Sequence, residues 1–288
     1  MRQLRIIGLF LALIGASSVW AQLGDARDPG PALWVVRSGD AAVYLFGRMA
    51  VRSDSQWLTP AIEESFDASD MLWLENPRGD PEQGNRLIGE LGFSKDYSIL
   101  EVIDERDRNR VIALLERSGM SADALDGRKV WLANLFLSQL IDRMNNVDGS
   151  ALPDTILRAR AEAQGKPVRS EWRDVREVVE YSVGLPESVQ LQMLGKALDD
   201  SESYSSRLDA WLRGDTDFLS GMADEIATDY PDAHRRVNVE RNSQWVARIR
   251  EMLAVGNVQF VSIGIGHLVG PDNVLSQLRA DGMEVQRR

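Results

Sequence analysis

The sequence contains no cysteine among its 288 residues. A disulfide bond, a thiolate metal site and a cysteine nucleophile are therefore excluded. Histidine is also scarce, since His234 and His267 are the only two in the chain. Any role that needs an imidazole must fall on one of these two residues.

Positive charge is scarce relative to negative charge, with 33 Lys and Arg against 44 Asp and Glu and a net charge of -11. An acidic chain is not expected to bind a nucleic-acid backbone or an anionic membrane surface, although the same excess also serves simple solubility. The chain contains no phosphate-binding loop, dinucleotide fingerprint or Gly-x-Ser-x-Gly elbow. These absences predict no nucleotide cofactor and argue against a serine triad.

Long apolar runs are missing except at the N-terminus. Residues 1–21 combine two arginines, the apolar run Ile6–Leu13 and small residues that end at Ala21. This pattern predicts a cleaved signal peptide with a cut after Ala21, and a retained membrane anchor is the alternative. The mature protein is then expected in a bacterial periplasm or secreted, with no membrane span after cleavage.

The rest of the chain has strand-like patterns near both ends and helical periodicity between them. Residues 22–32 are rich in glycine and proline and predict a flexible lead-in. Short apolar runs predict strands at residues 33–37, 42–46, 70–77, 166–172, 258–263 and 283–286. Helices are predicted at residues 104–118, 129–144, 154–164 and 270–280, among others.

This order of elements predicts the fold class. We expect an α/β fold whose central, mostly parallel sheet is formed by both ends of the chain. A large helical insertion is expected at about residues 79–255, within a single domain over residues 33–288.

Polar side chains end several of the predicted strands. Glu75, Glu171 and His267 each follow a strand, and Glu240-Arg241-Asn242 lies on the helix that enters the last core strand. Because the carboxyl ends of parallel strands meet at one edge of a sheet, we expect these groups to converge. Clustered carboxylates repel one another, and a divalent metal or an arginine would relieve the repulsion. Histidine with carboxylates would suit Zn, Mn or Co, which can activate water for hydrolysis.

These polar residues also have ordinary structural explanations. Charged residues commonly mark strand ends, which would account for Glu75 and Glu171. Glu240 and Arg241 would alternatively form a solvated helix face.

The two histidines differ in their sequence context. His267 lies in the glycine-rich turn 264–270 between a strand and a helix that is expected to begin at Pro271, with Asp272 at its positive end. Such turns commonly bind ligands. His234 lies at a polar helix start and is predicted to be a surface residue.

Sequence blocks with these residues are distributed over nearly the whole mature chain. They comprise residues 32–36, 43–47, 72–75, 165–171, 240–245 and 264–270. Together they resemble the TraB/GumN family, which is related to the Tiki-type metalloproteases, and the last block is the most specific. The resemblance implies an EreA/ChaN-like architecture and a divalent-metal site formed by two Gly-x-x-His motifs and glutamates.

The chain departs from the family pattern at two places. The second Gly-x-x-His motif is intact at Gly264–His267, but the first reads Gly47-Arg48-Met49-Ala50. Alanine cannot coordinate a metal, and the positive charge of Arg48 could replace part of a missing cation. In addition, Glu171 lies in Ser-Glu-Trp, where the family usually has Leu-Glu-Thr.

The resemblance implies a periplasmic, metal-dependent, peptidase-like hydrolase. In such an enzyme His267, Glu75 and Glu240 would bind the metal, and Glu75 would also belong to the catalytic set. Glu171 would orient a ligand or act as base, and Arg241 would stabilise developing negative charge. The turn positions implied to shape the site are Gly47, Gly264, Gly266 and Asn242.

Two other functions stay open on the same residues. The chain could be a degenerate family member that binds a peptide, another envelope component or a partner without catalysis, and Ala50 favours this reading. The intact Glu75, Glu240 and His267 favour the enzyme instead. A third alternative is haem binding through a distant fold relative, with His267 as the axial ligand.

Overall fold

The computed structural model describes residues 30–288. The predicted signal peptide and residues 22–29 of the lead-in lie outside the described residues and remain predictions. Within the described part of the chain, no helix has the length and apolar character needed to cross a membrane.

Residues 30–288 contain a six-stranded mixed sheet with the strand order β4-β3-β5-β2-β1-β6. The strands are β1 (Leu33–Ser38), β2 (Ala41–Arg48), β3 (Met71–Leu74), β4 (Val168–Ser170), β5 (Val258–Gly264) and β6 (Val285–Arg287). Strands β2, β5, β3 and β4 pair in parallel, whereas β1 and β6 pair antiparallel at one side. The predicted α/β fold with a mostly parallel sheet from both chain ends is therefore confirmed.

Helices account for most of the chain between β3 and β5. The α-helices are α1 (Pro60–Asp67), α2 (Pro81–Leu91), α3 (Ile99–Val102), α4 (Glu105–Arg117), α5 (Val130–Met144), α6 (Pro153–Ala163), α7 (Val175–Gly184), α8 (Glu187–Glu202), α9 (Tyr204–Leu212), α10 (Thr216–Asp229), α11 (Pro231–Ala233), α12 (Glu240–Val255) and α13 (Val274–Ala280). Single 3₁₀ turns lie at Ala122–Leu125 and Ile265–His267, and a π-helical segment, His234–Val239, joins α11 to α12.

The register of the central strands brings the predicted site residues to one edge. Arg48 at the end of β2 lies opposite Gly264 at the end of β5. Leu74 lies opposite Ser262, so Glu75 leaves β3 beside the end of β5. Both faces of β2 and β5 are covered, as is typical of parallel strands, and the polar groups therefore collect at the strand ends.

The core anchors this edge through aromatic side chains. Phe46 of β2 stacks on Trp57 at 5.6 Å between ring centroids and also contacts Trp211 and Phe260. The Trp211 indole donates to the carbonyl of Gly47 at 2.6 Å. A β-carbon at Gly47 would lie 2.4 Å from the end of the Ile265 side chain, which would have to move, so glycine helps the turn after β5 to pack closely on β2.

The last helix begins later than predicted. Pro271 is not its first residue, because α13 begins at Val274 and the side chain of Asn273 caps it by accepting from the Ser276 amide. Asp272 instead has φ +51° and Gly270 has φ +78°. This left-handed turn redirects the chain before the helix can form.

Candidate functional site

Glu75 is the centre of a buried cluster at the carboxyl ends of β2, β3 and β5. One carboxylate oxygen, Oε2, accepts from Arg48 Nη2 at 2.8 Å and from the Gly264 amide at 3.0 Å. The other, Oε1, accepts from Arg241 Nη2 at 2.8 Å. Both oxygens are thus bound by donors from separate elements of the fold.

Arg241 joins Glu75 to the second predicted carboxylate. Its Nε donates to Glu171 Oε1 at 2.9 Å, and its Nη2 also donates to Glu171 Oε2. The Arg241 guanidinium lies 5.7 Å from the ring of Trp172, and the Arg241 and Glu171 side chains are only 8% and 4% exposed. This bidentate ion pair fixes the orientation of both side chains.

Asp154 is a member of the cluster that sequence reasoning missed. Its Oδ2 lies 2.9 Å from Arg48 Nε, and its Oδ1 accepts from the Ser262 hydroxyl at 2.7 Å. Asp154 lies in the first turn of α6, a position where acidic residues normally interact with the helix dipole. This position explains an acidic residue without any role in a site, so there was no reason in the sequence to select Asp154. Its place in the cluster depends on the fold, which brings the start of α6 against the end of β2.

His267 is oriented by Asn242. The Asn242 Nδ2 donates to the Asp272 carbonyl at 2.9 Å, so its Oδ1 is the acceptor that meets His267 Nδ1 at 2.7 Å. His267 Nδ1 therefore carries a proton. The other ring nitrogen, Nε2, is 3.8 Å from Glu75 Oε1, which is longer than a hydrogen bond.

The charges of the cluster stabilise one another against burial. Burial alone would raise the pKa of Glu75, but Arg48, His267 and Arg241 outweigh it and hold the pKa well below the ordinary value. Burial raises the pKa of Asp154, and Glu75 adds to this, more than Arg48 and Ser262 lower it. Burial would lower the pKa of Arg241, yet the hydrogen bond to Glu171 and the charge of Glu75 raise it.

Other predicted residues lie away from this cluster or have a different role. Glu240 is 44% exposed and pairs with Arg236 at 3.1 Å, and it forms no hydrogen bond or ion pair with His267. Gly264 has φ -55°, and a β-carbon there would lie 3.3 Å from the Glu75 carboxylate, so this glycine makes room for a side chain. Gly266 accepts a hydrogen bond from Asn238 through its carbonyl at 3.3 Å.

A divalent metal does not fit the side chains as they are arranged. The oxygens of Glu75, Glu171 and Asp154 accept from, or pair with, donors of this chain, and Ala50 offers no ligand. Across residues 30–288, no group of at least three His, Asp or Glu side chains is placed to hold a metal ion. A cation at Glu75 would have to displace a guanidinium that already satisfies the carboxylate.

A cavity of about 350 Å³ lies beside the cluster and shares Arg48 and Gly264 with it. Ala50 and His234 also line this cavity. His234 is not the surface residue that the sequence predicted, since its side chain is 14% exposed and Nε2 lies 3.9 Å from Asp272 Oδ2. This nitrogen is buried and has no hydrogen-bond partner in the described part of the chain.

Comparison with known proteins gives one finding about this chain. A family model described as the TraB/PrgY/gumN family matches residues 32–287, nearly the whole chain. No curated protein and no solved structure matches the sequence significantly.

Proposed function

The chain belongs to the TraB/PrgY/gumN family, and we propose that it is a non-catalytic binding protein of the periplasm. The pairing of arginines with the site carboxylates is the observation that carries this proposal. Arg48 and Arg241 together contact Glu75, Glu171 and Asp154 at distances of 2.9 Å or less. The periplasmic location rests on the predicted signal peptide, residues 1–21.

The arginines supply the positive charge that carboxylates at a metal site would otherwise receive from the ion. A buried carboxylate needs a cation or several donors, because leaving it unpaired costs several kcal/mol, on the order of 3–5. Arg48 belongs to the motif in which Ala50 replaces histidine, so one four-residue segment both lacks a ligand and provides a charge. Arg241 cannot lose its proton at physiological pH. This cluster is therefore a permanent structural element and a poor source of a reactive base.

The proposal is tested by measuring metal content and by restoring the missing histidine. Protein purified without a histidine tag is expected to contain no stoichiometric Zn, Mn or Co. An Ala50→His variant should gain weak Zn binding at most, because Arg48 still occupies Glu75. The double variant Arg48→Met/Ala50→His should bind Zn more tightly, since it releases Glu75 and adds a ligand.

The matched control is Ala163→His, on the exposed end of α6. It should bind no more metal than the native protein in equilibrium dialysis. Near-stoichiometric metal in the native protein would overturn the proposal. A double variant no better than Ala163→His would refute the idea that Arg48 replaces the ion.

A second candidate function is metal-dependent hydrolysis, for which His267 is the specific observation. Asn242 holds the ring so that Nε2 faces the Glu75 carboxylate at 3.8 Å, an orientation suited to a ligand. Peptidase activity that is lost with a chelator and with His267→Gln would establish this function instead.

The location is tested separately. Cells that express the full chain are expected to yield the protein in the periplasmic fraction, with Gln22 as the first residue of the mature form. Recovery of an intact N-terminus in the cytoplasm would exclude the periplasmic part of the proposal and leave the site argument unaffected.

A further inference from the structure

We propose that the cavity beside the cluster binds a small amphipathic molecule that carries one carboxylate on an apolar body. This inference deepens the proposed binding function and rests on it. The cavity volume of about 350 Å³ lies at the lower end of the range typical of small-molecule sites. The ligand class follows from the two kinds of side chain in the lining, apolar and charged.

One side of the cavity is apolar. Leu219, Met222, Ala223 and Ile226 line it from α10, at the spacing of a single helix face. Val269 adds another apolar side chain next to them. Methionine adapts its shape to varied ligands, so this side suits an aliphatic chain or a branched side chain.

Charged side chains line the cavity from α8 and α9, where two cations face one carboxylate. Lys196 Nζ and Arg207 Nη1 each lie 2.6 Å from one Asp200 oxygen, so two cations share one carboxylate. The remaining acidic residue of the lining, Asp142, is exposed to solvent. The charge of Arg48 is matched by Glu75 and Asp154. Two cations thus contact a single carboxylate at this cavity, and Asp142 forms no ion pair within residues 30–288.

Unused hydrogen-bond donors of Lys196 make a carboxylate the fitting head group. An ammonium has three donors, and that of Lys196 donates to Asp200 alone within residues 30–288. His234 also lines the cavity. The same residue begins the π-helical segment His234–Val239. Such π-turns occur often at functional sites, because they place one side chain out of the regular helical order.

Calorimetric titration with three probes of equal chain length tests the charge requirement. Octanoate is expected to bind saturably, and octanamide should bind roughly tenfold more weakly because a charge-assisted hydrogen bond is lost. Octylamine should not bind, since its ammonium would meet Lys196 and Arg207. Equal binding of octanoate and octanamide, tighter binding of octylamine, or no binding of any probe would overturn the proposal.

Two variants with matched controls test the place of binding. Lys196→Gln should weaken octanoate roughly tenfold and leave octanamide unchanged, whereas Lys95→Gln, at an exposed lysine, should alter neither. Ala197→Phe places a ring in the cavity and should abolish octanoate binding, whereas Ala163→Phe should not. Urea unfolding of each variant verifies that it is folded. Unchanged octanoate binding in folded Ala197→Phe would place the ligand elsewhere and refute the proposal.

Comparing the affinity for N-acetyl-leucine with that for octanoate distinguishes the two natural sources of such a carboxylate. Preference for octanoate would indicate a fatty acid, and preference for N-acetyl-leucine would indicate the carboxyl terminus of a peptide. Either preference supports the shared chemistry. If the protein contains no metal and neither octanoate nor N-acetyl-leucine binds, this ligand class is refuted and the proposed function is not. If the protein contains stoichiometric metal, the proposed function itself is refuted.

Discussion

Two regions with charged side chains lie at the carboxyl ends of β2 and β5: the cluster around Glu75 and the adjoining cavity. They differ in how the charged groups are paired. In the cluster around Glu75, the carboxylate oxygens meet arginine, amide or hydroxyl donors of the chain itself. In the adjoining cavity, two cations share the single carboxylate of Asp200. Arg48 borders both regions. The difference indicates that the cluster stabilises the fold, whereas the cavity retains the capacity to bind.

The largest expected effect is the loss of Arg241. The variant Arg241→Met should lower the free energy of unfolding by about 3–5 kcal/mol, because it leaves Glu75 and Glu171 buried without their shared cation. Arg176→Met removes an exposed pair with Glu180 and should cost less than about 1 kcal/mol. Urea unfolding measures both values. Similar small losses in the two variants would mean that the cluster contributes no more than a surface ion pair.

Glu75→Gln tests the pH dependence of the cluster. The pKa of Glu75 is held well below its ordinary value of 4.5, so its ionised form stabilises the folded state fully above about pH 4.5. That contribution is lost as the pH falls below this value through the folded pKa. The native protein should therefore exceed Glu75→Gln in stability by about 1–3 kcal/mol near neutral pH, and the gap should shrink in acid.

Urea unfolding at several pH values between about 7 and 3 measures this gap. The charge of Glu75 helps to raise the pKa of Asp154, so Asp154 is replaced by Asn in both proteins to keep its titration out of the comparison. A gap that stays constant or widens in acid would contradict the assigned role of Glu75.

The two histidines give the most direct contrast between the regions, and His234 gives the smallest expected effect. His267→Phe leaves the buried Asn242 Oδ1 without its donor and should cost about 1–3 kcal/mol. His234→Phe removes a nitrogen that has no hydrogen-bond partner in the described residues, so it should change stability by less than about 1 kcal/mol. Equal costs for both variants, measured by thermal unfolding, would show that the cavity histidine also has a structural role.

The aromatic packing around β2 shows which features local sequence patterns predict and which they do not. The apolar runs that form β2 and β5 are evident in the sequence because buried parallel strands require them on both faces. The contact of Trp211 with Gly47 is not, since it joins a helix in the insertion to the end of β2. Long-range contacts of this kind depend on how the helices pack, which no local periodicity encodes.

The sequence by itself determined the α/β class, the strands and the position of Glu75, Glu171 and His267 at strand ends. Apolar periodicity and the geometry of parallel strands are sufficient for these, because both act locally. Only the tertiary structure decided how their charges are balanced. Asp154 enters the cluster and His234 becomes partly buried beside a cavity because helices distant in sequence pack against one edge of the sheet, whereas Glu240 pairs with Arg236 on its own helical segment.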